Sequence, residues 1–151
     1  MIRALLYIGL IYAVYRFAKK GVDMLDDQEM YLARTIYGEA RGESQNGQIA
    51  VANVVMNRVK KGGWYGASVK DVVLKPYQFS CWNANDPNRS IILAATPAQL
   101  AGQLAIAKRA IAGNLPDITN GATNYHAKSV TPYWAASMTK TATIGNHIFY
   151  A

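Results

Sequence analysis

The sequence predicts an α+β fold, mostly helical, with a small β-sheet or hairpin near the C-terminus. Three observations predict it. Apolar residues recur at helical spacing in segments ahead of Gly113, capping residues and glycines bound those segments, and beyond Gly113 the chain turns to Thr, Tyr, Gly and Asn without a helical period. At 151 residues the chain fits one domain with a core of its own.

The first element is "MIRALLYIGLIYAVYRFAKKG". Its uncharged part, Ala4 to Tyr15, is twelve residues long, short of the ~20 that span hydrocarbon comfortably. No Ala-x-Ala cleavage site follows it. Residues 1–22 therefore read as an apolar helix packed on the domain or as an uncleaved signal anchor giving membrane association, with Tyr12, Tyr15, Arg16 and Lys19 at the interface. More positive charge follows the apolar run than precedes it, which by the positive-inside tendency argues against simple export. Residues 23–151 are the domain proper.

In "DMLDDQEMYLARTIYGEA" the leading acids suit a helix N-terminus, and Leu25, Met30, Leu32, Ala33 and Ile36 continue the helical spacing up to Gly38. A second helix is expected over about Gln45 to Lys61, with Ile49, Ala52, Met56 and Val59 on one face and Val51, Val54 and Val55 widening it. Late cations and glycines in "KKGG" end it. The stretch "GWYGASVKDVVLKPYQFSCWNANDPNRS" reads as a long irregular loop, a kind that is often functional. A third helix starts with Thr96 as N-cap, Pro97 at the first helical position and Gln99 completing a capping box, and it stops at Gly113 with Lys108 and Arg109 in its last turns. Short strands are expected at Thr123 to Ala127 and Ile144 to Tyr150.

Sixteen Lys and Arg against nine Asp and Glu give a charge of +7, which suits a polyanionic partner. Four of those cations lie in the first twenty residues, which leaves twelve against nine in the rest. The body is only mildly basic, and its aromatic residues are not interleaved with Lys and Arg, so no nucleic-acid partner is expected. Cys81 is the only cysteine, which excludes an intrachain disulfide.

Carboxylates are scarce, yet Glu39 and Glu43 stand four residues apart in "YGEARGE". If the helix ran on through Gly42 the two would share a face at about 5–6 Å between Cβ atoms, a pairing suited to glycosidic cleavage. The other reading is a helix terminus: Glu43 complements the next helix's amide groups, and Glu39 is a solvated acid paired with Arg34 or Arg41. Aromatic, amide and imidazole groups cluster in "YQFSCWN", "NYHA", "PYW" and "GNHIFY". Such surfaces suit sugar rings, which offer C–H faces and a hydroxyl rim, and they equally suit core or strand packing. Cys81 with His126 or His147 is a rival nucleophile–base pair, and the same three residues lack the close spacing of a zinc motif. No phosphate loop or dinucleotide fingerprint is present, so neither cofactor nor metal is expected.

Taken together, "ARTIYGEARGESQNGQIAVANVVMNRV", "PYQFSCW", "GATNYHA", "PYWA" and "IGNHIFY" resemble the spore-cortex-lytic (SleB-type) cell wall hydrolase family, which also occurs in phage lysis enzymes. The resemblance runs from about Gln28 to Tyr150. It implies a lysozyme-like or transglycosylase-like α+β domain acting on peptidoglycan glycan strands outside the cytoplasmic membrane. Glu39 matches the family's catalytic glutamate, the acid/base at the bond between N-acetylmuramic acid and N-acetylglucosamine. The attacking group would be the muramic C6 hydroxyl in a lytic transglycosylase, or water in a muramidase, for which Glu43 or Asp86 is a candidate partner. Gln78, Phe79, Tyr125, His126, Trp134 and His147 carry over as substrate-groove or supporting residues, and Asn124 departs from the expected pattern. Many relatives carry a separate wall-binding module; the sequence shows a candidate anchor in its place, which favours lysis or general wall remodelling.

Overall fold

The computed structural model describes residues 27–151. The segment read as a packed helix or signal anchor, residues 1–22, lies outside the described residues, as do residues 23–26, where the sequence suggests the first helix begins. Among the described residues no helix is long and apolar enough to cross a membrane.

Helix α1 occupies residues 27–40. It buries Leu32, Ala33, Ile36 and Ala40, one stripe at helical spacing. Gly38, expected at the helix end, lies inside it. A Cβ there would sit 2.6 Å from Cys81 Cβ and 2.8 Å from its Sγ, so the missing side chain lets the Cys81 segment close onto the helix.

Helix α2 spans Gln45–Lys61, opened by Ser44, whose side chain accepts from the Gly47 N–H, and closed at Gly62. Its fully buried run is Ala50 to Val55; Ile49, Met56 and Val59, expected at the centre of the buried face, are only partly covered. The reason is that α2 packs on two sides. Val51, Ala52 and Val55 join α1 and the other helices in the main core, while Ala50 and Val54 meet Ala122 and Phe149 of the C-terminal part.

Two helices occupy the stretch read as irregular. Helix α3, Val69–Leu74, is capped by Ser68, and helix α4, Pro87–Ala94, by Asp86 with proline in its first turn. Six and eight residues are too few to display a period, although both caps were present as local signals. Helix α5 covers Ala101–Ile111. The expected capping box forms, with Thr96 N–H donating to Gln99 Oε1 at 2.9 Å and Gln99 N–H to Thr96 Oγ1 at 3.3 Å, but it closes a separate turn at residues 97–100 ahead of the helix.

The sheet has three antiparallel strands in the order β1-β3-β2: β1 Asn124–Ala127, β2 Lys140–Ile144 and β3 His147–Tyr150. The single strand expected from Ile144 to Tyr150 is divided by a turn at Gly145, and β2 was not foreseen. Its register is irregular between Lys140 and Ala142, which disrupts the alternation a strand would otherwise show. Tyr125 pairs with Phe149 and His126 with Ile148. Successive residues face opposite sides, so Tyr125, His147 and Phe149 share one face and His126 and Tyr150 the other.

A polar stripe on α2 ties the sheet to the helices. Buried Asn53 donates to Pro116 O at 3.2 Å and accepts from the Ile118 N–H at 3.1 Å. Asn57 donates to Asp117 Oδ2 at 3.0 Å and Ala122 O at 2.9 Å. Arg58 Nε donates to Thr123 O at 2.7 Å. These bonds fix the loop into β1, and with it the position of Tyr125.

Candidate active site

Glu39 lies in the last turn of α1, half-buried. Both carboxyl oxygens have a donor: Oε1 accepts the Cys81 N–H at 3.2 Å, and Oε2 accepts the Tyr125 hydroxyl at 2.9 Å. One donor comes from the loop that packs on Gly38 and the other from β1. Three distant parts of the chain therefore meet at this carboxyl.

Tyr125 is fixed in turn. Its ring stacks on Phe149, centroids 5.6 Å apart, and meets the edge of His147 at 5.3 Å. Burial first, and then the charge of Glu39, push its phenol pKa well above the ordinary value. It remains a hydrogen-bond donor rather than a base.

Arg58, a buried cation that sequence reasoning passed over, stands behind this pair. Its guanidinium lies 4.9 Å from the Phe79 ring centroid and 5.3 Å from that of Tyr65, and Nη1 donates to Gln78 Oε1 at 3.4 Å. Burial lowers its pKa, opposed by Tyr65, Tyr125 and Glu39, and an arginine remains charged under such a shift. An arginine inside the apolar run of α2 was the signal available in the sequence.

A cleft of about 510 Å³ opens beside these residues, lined by Arg58, Gln78, Asn124, Tyr125 and Trp134 with a rim of Trp64, Tyr65, Tyr77 and Tyr133. Gln78, Tyr125 and Trp134, carried over as groove or supporting residues, line this cleft. Glu39 is not among the lining groups and is joined to the cleft through the Tyr125 hydroxyl. Three further residues of that set do not line the cleft. Phe79 is 2% exposed; it underlies Arg58 and cannot touch a ligand. His126 faces the other side of the sheet and is buried, with Nδ1 2.8 Å from Ala127 O and Nε2 3.0 Å from Tyr150 Oη. A carbonyl only accepts, so in the neutral ring Nδ1 carries the proton and Nε2 accepts from Tyr150. The ring also meets Trp134 edge-on at 5.8 Å, which makes His126 a support for a cleft residue. His147, away from the cleft lining, directs Nδ1 toward Glu43 Oε1 at 3.8 Å.

Glu43 does not share a face with Glu39, because α1 ends at residue 40 and a turn intervenes. Its carboxylate accepts from the Asn146 N–H at 3.3 Å and Nδ2 at 3.1 Å, and so holds the β2–β3 turn against the junction of α1 and α2. Gly145 has a φ of 56° and a Cβ there would run into that carboxylate. Asp86 caps α4, accepting the Asn88 N–H at 2.8 Å. The Cys81 thiol is 1% exposed. Burial, and after it Glu39, raise its pKa far above the usual thiol value, and with both His126 nitrogens engaged no thiolate–imidazole pair forms there.

A family model described as Cell Wall Hydrolase matches residues 42–150. The chain is 32% identical over 127 residues to the spore cortex-lytic enzyme of Halalkalibacterium halodurans, covering 82% of this chain and 34% of that protein. It is 31% identical over 121 residues to the spore cortex-lytic enzyme of Bacillus cereus, covering 78% and 42%. The chain thus spans less than half the length of these relatives. Among solved structures, the catalytic domain of the Bacillus cereus SleB protein superposes with a TM-score of 0.66 at 29% identity, covering 83% of this chain and 91% of that one. The catalytic domain of the germination-specific lytic transglycosylase SleB from Bacillus anthracis gives 0.67 at 29%, covering 82% and 93%.

Proposed function

Because the chain belongs to the cell wall hydrolase family, we propose that it cleaves peptidoglycan glycan strands between N-acetylmuramic acid and N-acetylglucosamine as a lytic transglycosylase, with Glu39 as its acid/base. The observation that carries this reading is the Glu39 carboxyl, held by the Cys81 N–H and the Tyr125 hydroxyl beside an aromatic and amide-lined cleft. The kinship to a lytic transglycosylase catalytic domain supports it. Such a polymer is met outside the cytoplasmic membrane.

In the reaction the Glu39 carboxylic acid gives its proton to the glycosidic oxygen as the bond from that oxygen to the muramic anomeric carbon breaks. The carboxylate then takes the proton of the muramic C6 hydroxyl, whose oxygen bonds to the anomeric carbon. The products are a 1,6-anhydro muramic end and a free N-acetylglucosamine 4-hydroxyl, and no water is consumed. A single carboxyl suffices for both transfers. That requirement agrees with Glu43 being committed to the Asn146 turn.

The test is Glu39→Gln on purified sacculi, with products identified by mass spectrometry. The variant should fold with an unchanged circular dichroism spectrum and release no soluble muropeptides, and the wild type should release anhydro ends. Fragment release by the folded variant would remove Glu39 from the chemistry, and reducing muramic ends from the wild type would make the enzyme a muramidase.

A further inference from the structure

Tyr77 adopts a backbone conformation that its residue type disfavours. In "KPYQ" the Gln78 N–H donates to Lys75 O at 3.1 Å, closing a turn with Pro76 and Tyr77 at its centre, and Tyr77 has a φ of 64°. Proline cannot take a positive φ, so this is a type II turn, whose third position ordinarily holds glycine or asparagine. A bulky side chain at that position carries a steric penalty. Packing does not offset it, because Tyr77 is 87% exposed.

The turn lifts the ring to the boundary between two grooves. One is the cleft beside Tyr125. The other, of about 420 Å³, runs along Lys75, Pro76, Trp82, Asn83 and Asn85, and Tyr77 lines both. The first cleft carries two more exposed aromatics, Trp64 at 64% and Tyr133 at 95% exposure, and Lys75 Nζ lies 4.3 Å from the Trp64 ring centroid. A linear β-1,4-linked N-acetylated glycan presents alternating C–H faces for an exposed ring and amide groups for asparagines.

We propose that Tyr77 is a sugar-stacking platform and that the groove along Lys75 to Asn85 is a second saccharide-binding site, so that one strand runs from the Tyr125 cleft over Tyr77 into that groove. This rests on the glycan-cleaving function proposed above. It assigns the strained turn a role in holding strand, separate from the proton transfers at Glu39.

The test uses soluble glycan strands stripped of their peptides, and compares wild type, Tyr77→Gly, Tyr77→Phe and Asn83→Ala. Glycine suits the turn, so Tyr77→Gly should keep or raise Tm and keep kcat, while KM rises about 3- to 10-fold, the scale of one aromatic stacking contact. Tyr77→Phe should behave as wild type, and Asn83→Ala should raise KM alone. An unchanged KM in Tyr77→Gly, or a fall in its Tm, overturns the proposal and leaves Tyr77 a surface or structural residue. Absence of strand cleavage by the wild type would instead refute the underlying function, and titration of the strands onto the Glu39→Gln variant with and without Tyr77→Gly would still decide whether Tyr77 binds them.

Discussion

Replacing Tyr125 by phenylalanine isolates what its hydroxyl does for Glu39. The substitution keeps the ring, its stacking on Phe149 and its contact with His147, and deletes one donor at 2.9 Å from Glu39 Oε2. A hydrogen bond to a charged group is worth about 1.5–3 kcal/mol. If that loss falls on the transition state, kcat/KM drops roughly 10- to 150-fold. The cost to the fold is smaller, about 1 kcal/mol for one hydrogen bond, or a Tm shift of roughly 2–4 °C for a chain of this size. The assay is the initial rate of soluble fragment release from sacculi beside a thermal melt of the same preparation. Wild-type activity in Tyr125→Phe would refute the reasoning, and so would a loss of activity accompanied by unfolding at the assay temperature, since either would leave the hydroxyl without a role in positioning Glu39.

Alkaline stability follows from Cys81 and Tyr125, whose folded pKa values are raised, chiefly by burial and then by Glu39. The folded chain keeps protons that the unfolded chain surrenders above about pH 8.5 for the thiol and about pH 10 for the phenol. Stability is therefore complete below about pH 8.5 and falls above it by about 1.4 kcal/mol per pH unit for each such proton; Cys81→Ala should flatten the urea midpoint between those two pH values, and a flat wild-type curve there would contradict the argument. Gly38→Ala gains helix propensity but puts a methyl against Cys81 Cβ and Sγ, so kcat/KM should fall about tenfold or more as the Cys81 N–H is pushed off Glu39, while far-ultraviolet circular dichroism stays helical. Glu43→Gln weakens the anchoring of the Asn146 turn, so Tm should drop by about 2–6 °C with the same anhydro products; loss of all cleavage at an unchanged Tm would make Glu43 the second carboxylate after all.

Helix α2 was legible to its ends because seventeen residues carry both a period and two boundary signals, Ser44 before it and the glycines after it. Helices α3 and α4 were not, since one or two turns hold too few residues for a period to emerge; Ser68 and Asp86–Pro87 marked their starts without marking their lengths. The sheet was half legible. Strand β3 pairs on both sides and concentrates aromatic residues, whereas edge strand β2, with its irregular register, reads as "KTATI" and shows little burial. At the site, local motifs identified Glu39, Gln78, Tyr125 and Trp134 as residues of interest but could not separate cleft from support. Tyr125 and His126 are neighbours in the sequence and opposite in the sheet, and Phe79, next to the cleft residue Gln78, turns into the core. Arg58 was missed because a helix period says nothing of a polar group buried within its apolar run.

The fate of the two glutamates follows from where α1 stops. Had the helix run on through Gly42, like charges would have faced each other; with its end at residue 40, the chain turns, and the two carboxyls acquire different partners. Glu43 holds a hairpin turn, a structural task. Glu39 is met by a backbone N–H, a phenol that burial keeps protonated, and the positive charge of Arg58 beyond it. These partners hold the carboxyl in one orientation, and fixed groups of this kind need no rearrangement at the moment of reaction. On the proposed reading, the same donors leave the carboxylate, once its proton is given up, oriented to collect the next one from the attacking hydroxyl. One glutamate can then serve as acid and base in turn, and its partners are fixed by Gly38, by the α2 stripe of Asn53, Asn57 and Arg58, and by the alternation of β1.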